Sequence, residues 1–135
     1  MPSLAELTPA ECWTRLEAEY TALLSFVHED DLHCLPVNVC VRDRQVWFRS
    51  ADGLKLRAAR AGVRMAVAVE RHDAIEHGGW SVSARGPACV EEEGPPAGRG
   101  PIVRPWRRGA TDGSWVRVAV DTITGRQLVA GTLPS

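Results

Sequence analysis

Residues 32–50 read LHCLPVNVCVRDRQVWFRS, and this stretch decides the fold class. Apolar residues stand at every second position of its first half, the spacing that places side chains on one face of a β-strand. They are Leu35, Val37, Val39 and Val41. Asp43 and Arg44 then form a short polar turn, and residues 45–50 carry the β-branched and aromatic residues of another strand. The stretch therefore predicts two antiparallel strands joined by a tight turn.

Alternating sequence on both sides of this stretch predicts four further strands. The six predicted strands cover residues 23–28, 32–41, 45–50, 63–70, 80–91 and 115–120. Short turns join the first three, which predicts an antiparallel meander. Pro36 predicts an edge position, a bulge or a strand start, and Gly86-Pro87 predicts a bulge or kink. After the last strand we expect a turn over residues 121–125 that leads into the C-terminal tail.

Two short helices complete the predicted fold. Thr8 followed by Glu11 forms a capping box for a helix over about residues 8–22. A second helix is predicted over residues 54–61, with Gly62 as its C-cap. The sequence thus predicts a single, mainly β domain over residues 1–135, a six-stranded antiparallel barrel that is closed or nearly closed.

The charge balance and the hydropathy of the sequence argue against a nucleic-acid partner and against a membrane-spanning segment. Sixteen Lys and Arg against seventeen Asp and Glu give a net charge of −1. Nucleic-acid-binding proteins carry a basic surplus, so we expect no nucleic-acid partner. No apolar run approaches the roughly 18 residues of a membrane span. The N-terminal residues also lack the basic and apolar regions of a signal peptide, which predicts a cytoplasmic location.

The cysteines and histidines predict no metal site. The cysteines are Cys12, Cys34, Cys40 and Cys89, and no two of them form a C-x-x-C pair. We expect them to be reduced and to act as small buried hydrophobes. His28 stands at a predicted hairpin tip, and His72 and His77 stand in a polar loop, so solvated side chains are the expectation for all three.

Residues 94–113 form a long segment between the last two predicted strands. It holds five Gly, four Pro and four Arg, together with Trp106. A loop of this length without secondary structure is uncommon and is usually functional or disordered. A functional role is therefore one expectation for this segment.

Residues 48–56, FRSADGLKL, carry the clearest chemical signal. A strand ends in Arg49 and Ser50, Gly53 follows, and a helix begins with Lys55 in its first turn. A lysine there opposes the helix dipole, and a bound anion would resolve that conflict. Arginine, lysine and a hydroxyl group can together hold one phosphate. The alternative interpretation is a turn whose charges are solvated.

Four segments in order give the sequence a resemblance to a known family. They are residues 26–39, with Pro36-Val37-Asn38; residues 48–56; residues 79–86, which begin Gly-Trp-Ser-Val; and residues 104–126, from Arg104-Pro105-Trp106 to Thr124-Gly125-Arg126. The sequence resembles the pyridoxamine 5'-phosphate oxidase-like flavoproteins with the FMN-binding split-barrel fold, particularly small bacterial members related to nitroimidazole-resistance proteins. The resemblance spans about residues 8–128. Relatives often have Ser or Thr where this chain has Leu54, and a helix where this chain has the Gly/Pro/Arg-rich segment.

The resemblance implies a homodimer with FMN at the subunit interface. It implies that Arg49, Ser50 and Lys55 hold the phosphate, and that Val37 and Asn38 line the ring and the ribityl chain. By the same resemblance Trp80, Ser81 and Trp106 lie near the flavin, some of them reaching it from the partner chain. No catalytic residue follows from it.

The implied function is that of a flavin-dependent oxidoreductase acting on a small molecule of unknown identity. Family members also bind FAD, the deazaflavin coenzyme or haem, and some bind no cofactor. The alternatives are therefore a deazaflavin-coenzyme-dependent reductase, a non-catalytic flavin- or haem-binding protein, and a member that has lost its cofactor.

Overall fold

The structure is a computed structural model that describes residues 3–51, 53–73, 75, 78–97 and 113–129. In these residues the chain forms nine strands and two helices. The strands are β1 (Ser3–Glu6), β2 (Thr21–His28), β3 (Asp31–Asn38), β4 (Cys40–Arg42), β5 (Gln45–Ser50), β6 (Arg64–Asp73), β7 (Gly78–Glu91), β8 (Ser114–Val118) and β9 (Thr122–Val129); the helices are α1 (Pro9–Glu17) and α2 (Gly53–Arg60). The prediction of a mainly β fold with two short helices is confirmed.

All strand pairs are antiparallel, and β7 links two parts of the sheet. The strand order is β3-β2-β6-β7-β8-β5-β4, and β9 pairs with both β7 and β1. The first part of β7, residues 79–85, pairs with β9, whereas residues 88–91 pair with β8. This architecture agrees with the predicted antiparallel split barrel, although the described residues contain more strands than the six predicted.

Gly86 lies where β7 changes partners, which is the position of the predicted kink. A Cβ atom there would lie 1.9 Å from the carbonyl oxygen of Ala119. Two backbone hydrogen bonds join the same two segments on either side of Gly86. Ala119 N–H donates to the Pro87 carbonyl, and Asp121 N–H donates to the Arg85 carbonyl. Only glycine permits this close approach of two chain segments.

Helix α1 begins as predicted but ends early. Thr8 Oγ1 accepts a hydrogen bond from Glu11 N–H, and Glu11 Oε1 accepts one from Thr8 N–H, so the capping box is confirmed. The predicted end near residue 22 is wrong, because the helix stops at Glu17 and β2 begins at Thr21. Pairing of β2 with β3 buries Ala22 and Leu24, and this sheet packing outweighs the helical spacing read from the sequence.

The predicted second strand is two strands, and the three-stranded meander is wrong. β3 pairs with β2 and β4 pairs with β5, while the chain crosses from one part of the sheet to the other at Val39. Val39 is fully buried, and its N–H donates to the carbonyl of Tyr20 at 2.9 Å. β3 lies at the end of the strand order, which confirms the edge position of Pro36.

Both chain ends contribute strands that the sequence did not predict. The expectation of a turn and tail from residue 121 onward is wrong, because β9 pairs with β7 over seven residues and with β1 over four. Gly125 interrupts the apolar pattern of β9, which hid the strand. A Cβ atom on Gly125 would lie 2.8 Å from Cys12 Sγ, so glycine is required where α1 packs against β9.

The core lies inside the barrel and under the two helices. Its largest fully buried members include Phe48, Leu16, Leu24, Met65, Val67, Val82 and Val116. Helix α2 is followed by Gly62, whose φ of 71° confirms the predicted C-cap. No helix in the described part of the chain is long and apolar enough to cross a membrane. The cytoplasmic location stays a prediction.

Candidate functional site

The junction between β5 and α2 brings Ser50 and Lys55 to one end of the barrel. Ser50 is the last residue of β5 and is only 5% exposed. Its side chain lies on the same buried face of the strand as those of Val46 and Phe48. Lys55 stands in the first turn of α2, a turn that contains no acidic residue. Both residues take part in polar interactions. The N-terminus of α2 also brings the positive end of the helix dipole to this point.

Arg49 lies on the opposite face of β5 from Ser50. Its guanidinium carbon is 5.4 Å from the centroid of the Trp115 ring, and its Nε donates to the carbonyl oxygen of Gly113 at 2.9 Å. A Cβ atom on Gly113 would lie 3.0 Å from the backbone of Ser50. The C-terminal end of the segment 94–113 therefore packs directly against the Arg49-Ser50 pair.

Val37 and Asn38 are both buried at the end of β3. Val37 faces the core beside Ala22, its partner on β2. Asn38 alternates to the other face, where its Nδ2 donates to the hydroxyl oxygen of Tyr20 at 3.4 Å. β3 also contacts β5, so this strand end and the Ser50 strand belong to the same region of the fold.

Trp80 and Ser81 point to opposite faces of β7. Trp80 is half-buried beneath α1, where the Arg15 guanidinium carbon lies 5.8 Å from its ring centroid. Arg15 Nη2 also donates to Gln127 Oε1 at 3.0 Å, and Gln127 is the β9 partner of Trp80. Ser81 is exposed on the outer face of the sheet.

A groove of about 790 Å³ crosses the outer faces of β6, β7 and β9, and we call it the outer groove. Its polar lining comprises the hydroxyl groups of Ser81, Ser83 and Thr124 and the charged side chains of Glu6, Glu70, Arg85 and Arg126. Its apolar lining includes Leu23 and Ala68. A neighbouring cavity of about 440 Å³ shares Glu70, Ser81 and Arg126 with it and adds Trp80 and His72.

The predicted site residues thus fall on two surfaces of the chain. Ser81 lines both the outer groove and the neighbouring cavity, whereas Trp80 lines the neighbouring cavity but not the outer groove. Arg49, Ser50 and Lys55 line neither of them. Trp106 and the arginines of the segment 94–113 lie outside the described residues.

Sequence reasoning missed the groove arginines Arg85 and Arg126. The reason is that β9 was not predicted, so nothing placed Arg126 beside Ser81 on β7. The available signal was the polar alternation of Thr122, Thr124 and Arg126, which is typical of a strand with one solvent-facing side.

The cysteines are reduced, but they are not uniformly buried. Cys12 and Cys40 are buried, and desolvation raises the pKa of each thiol. Cys34 is exposed on the outer face of β3, so the expectation of a buried side chain is wrong for this residue. No group of three or more His, Cys, Asp or Glu side chains in the described part of the chain could hold a metal ion.

The barrel and its strand-to-helix junction define a small split-barrel protein. A comparison with family models identifies the family to which it belongs. The family model described as pyridoxamine 5'-phosphate oxidase matches residues 8–127. The chain belongs to this family. No curated protein matches it.

Solved structures show the same fold. The FAD binding protein from Mycobacterium smegmatis is 30% identical with a TM-score of 0.68, and the match covers 93% of this chain and 98% of that one. An FAD-binding protein from Mesorhizobium loti is 19% identical with a TM-score of 0.72, over 92% and 97% of the two chains. The FAD and haem binding protein from Mycobacterium smegmatis is 14% identical with a TM-score of 0.65, over 93% and 74%. The last two similarities concern the fold alone.

Proposed function

We propose that this protein binds FMN and acts as a flavin-dependent oxidoreductase on a small molecule. The observation that carries the proposal is the junction of β5 and α2 in a member of the pyridoxamine 5'-phosphate oxidase family. A hydroxyl group, an ammonium group and a helix N-terminus lie there within six consecutive residues, 50–55, and the first turn of α2 contains no acidic residue. This donor set fits a phosphate group.

In the proposed site Ser50 and Lys55 hold the phosphate beside the positive end of the α2 dipole. Arg49 approaches the same phosphate from the outer face of β5, where Trp115 and Gly113 fix the position of its guanidinium. Leu54 supplies no hydroxyl, so the cationic side chains carry more of the binding. Val37 and Asn38 line the ring and the ribityl chain.

A homodimer is part of the proposal, with one cofactor site at each side of the interface. Two apolar side chains on the outer faces of β2 and β3 support it: Val27 and Leu32, which pair in the sheet register, are 58% and 71% exposed. Exposed apolar patches of this kind mark interaction surfaces. Within one chain the predicted site residues Ser50 and Lys55 lie on a different surface from Ser81. A site shared by two subunits accounts for this separation, because the β5–α2 junction of one subunit and the surface around Ser81 of the other would meet across the interface. Trp80 and Trp106 belong to the same proposed surroundings of the ring.

When bound, the flavin would supply hydride transfer at its ring. The chain's own residues bind the phosphate, orient the ring and exclude water from it. No side chain is assigned as a general acid or base.

The second candidate cofactor is FAD, and the relative from Mycobacterium smegmatis favours it. That protein is described as binding FAD and is 30% identical to this chain over nearly its full length. The deazaflavin coenzyme and haem are further alternatives, as is a flavin-binding protein without turnover.

Spectroscopy of the loaded protein tests the proposal. The full chain is incubated separately with FMN and FAD, freed of excess ligand, and its visible spectrum recorded. We expect about one retained flavin per chain, with FMN retained at least as well as FAD, and bleaching when a nicotinamide donor is added without oxygen. Retention without bleaching by any donor, or reoxidation by no acceptor, would favour the non-catalytic alternative. A colourless protein after both incubations would contradict flavin binding.

A further inference from the structure

We propose that the outer groove binds a small molecule with an apolar body and one anionic group, a carboxylate or a phosphate, and that Arg126 holds this group. The inference deepens the proposed function, since the ligand of this groove would be the substrate that meets the flavin. Its experimental test nevertheless reads out ligand binding and does not depend on turnover.

The size and shape of the outer groove suit a small molecule. Its volume of about 790 Å³ lies within the ~300–1,000 Å³ range of ligand sites in proteins. Leu23 and Ala68 supply apolar surface, and they lie opposite one another on β2 and β6. This surface accommodates the uncharged part of a ligand.

The polar groups of the groove are ordered by the register of β7 and β9. Arg126 lies opposite Ser81, and Thr124 lies opposite Ser83. Directly paired residues of an antiparallel sheet share a face, so three hydroxyl groups stand beside Arg126. Arg85 lies four positions beyond Ser81 along β7, about 13 Å away, at the far end of the groove.

Neither groove arginine has a partner among the described residues, which distinguishes the pair from Arg64, Arg71 and Arg117 but not from the exposed Arg44 and Arg60. Arg64 forms a two-pronged ion pair with Asp121, Arg117 pairs with Glu91, and Arg71 pairs with Glu19. The part of the chain that the structure describes offers Arg126 and Arg85 no ion pair or hydrogen bond of this kind. Both side chains are exposed, so a ligand anion could replace water as their acceptor.

The two carboxylates of the groove leave room for such an anion. Glu70 Oε1 lies 2.7 Å from Nδ1 of His72 and is engaged there. Glu6 is the β1 partner of Arg126 in the sheet register, yet it forms no ion pair with Arg126 at 4.0 Å or less. The guanidinium of Arg126 therefore remains available, and its planar fork matches a carboxylate or a phosphate.

Three matched probes distinguish charge from shape: 2-naphthoate, 2-naphthyl phosphate and the neutral 2-naphthamide. Their binding to the flavin-loaded full chain is measured by calorimetry at low and at raised salt. We expect at least one anionic probe to bind about tenfold more tightly than the amide, an advantage that raised salt reduces. Tighter binding of the phosphate or of the carboxylate identifies which anion the site takes. Equal affinity for all three probes would overturn the proposal.

Single substitutions test whether Arg126 causes the preference for an anionic probe. Arg126→Gln should remove the preference for the anionic probe, and Thr124→Val should reduce it. Arg44→Gln is the matched control, since Arg44 stands in the exposed β4–β5 turn and should leave the preference intact. An unchanged preference in Arg126→Gln would overturn the assignment.

Two further readouts separate this inference from its rivals. If Arg126→Gln instead releases the flavin, Arg126 belongs to the cofactor site. If it changes the sedimentation of the protein, Arg126 pairs with the partner subunit, and either result would overturn the proposal. Should the wild-type protein retain no flavin yet still prefer the anionic probe, the anion site would stand while the proposed function failed.

Discussion

The guanidinium of Arg15 lies over the indole ring of Trp80, 5.8 Å from its centroid, and so fastens α1 to β7. The same guanidinium donates to Gln127 on β9, which ties the helix to a second strand. This small cluster fixes the orientation of Trp80 at the edge of the cavity that it shares with Ser81.

A double-mutant cycle tests the energy of this contact. Arg15→Gln should lower the free energy of unfolding by about 1 kcal/mol, because it removes both the cation–π contact and the hydrogen bond. The coupling between Arg15→Gln and Trp80→Leu should be about 0.5–1 kcal/mol, measured by urea unfolding. A coupling energy of zero would show that the two side chains do not stabilise one another.

Gly86 should be the most sensitive glycine of the barrel. Gly86→Ala places a methyl group 1.9 Å from the Ala119 carbonyl, so the two segments must separate, at a cost of about 3 kcal/mol. Gly62→Ala is the matched control, because Gly62 has open space and only its φ of 71° opposes the change. There we expect a loss of about 1 kcal/mol, and thermal unfolding of the two variants compares them. Equal losses would show that the backbones at Gly86 can separate freely.

The two glycines also show what the sequence can and cannot predict. Gly62 and the Thr8 capping box were predicted because a helix end is specified by neighbouring residues. The sequence predicted an irregularity at Gly86, but it did not reveal why glycine is needed there. The reason is the carbonyl of Ala119, which lies more than 30 residues further along the chain. β9 was missed for a similar reason: Gly125 breaks its pattern only to make room for Cys12 on α1.

The same distinction holds for the candidate site. The junction at Ser50 and Lys55 is contiguous in sequence, so its residue types alone pointed to a phosphate. The outer groove depends on the register that sets Arg126 beside Ser81, which no local pattern specifies.

Stability should depend on pH through Asp121. Hydrogen bonds from Arg64, and then from Thr122, lower the pKa of this carboxyl group to about 2 in the folded protein. In an unfolded chain the pKa of Asp is about 3.9, so the stabilising contribution is complete above that value and is lost as the pH falls toward 2. Asp121→Asn should therefore lose less stability than the wild type between about pH 5 and pH 2.5.

Urea midpoints across this pH range test the expectation. Asp30→Asn is the control, because Asp30 stands in the exposed β2–β3 turn and its φ of 60° is one that asparagine also adopts. It should follow the wild-type pH profile. Parallel profiles for the wild type and Asp121→Asn would show that the Arg64 pair contributes nothing.

The proposed dimer should depend on the apolar face of β2 and β3. Leu32→Asp adds a charge to a side chain that is 71% exposed, so the fold should persist while the interface is lost. We expect a dimer for the wild type and a monomer for this variant by analytical ultracentrifugation. Ile75→Asp changes an even more exposed apolar residue, 89% exposed and outside this face, and should remain a dimer. A monomeric wild type, or a dimeric Leu32→Asp variant, would place any interface elsewhere.

The central claim is a phosphate site at the β5–α2 junction, and the relative affinity for FMN and riboflavin tests it most directly. The two ligands differ only in the phosphate, so the difference in their dissociation constants isolates the contribution of this site. We predict that the wild type binds FMN at least about 100-fold more tightly and that Lys55→Gln reduces this ratio about tenfold. Arg60→Gln, which removes a charge from the last turn of the same helix, should leave the ratio unchanged. Equal affinity for the two ligands in the wild type, or an unchanged ratio in Lys55→Gln, would contradict the account.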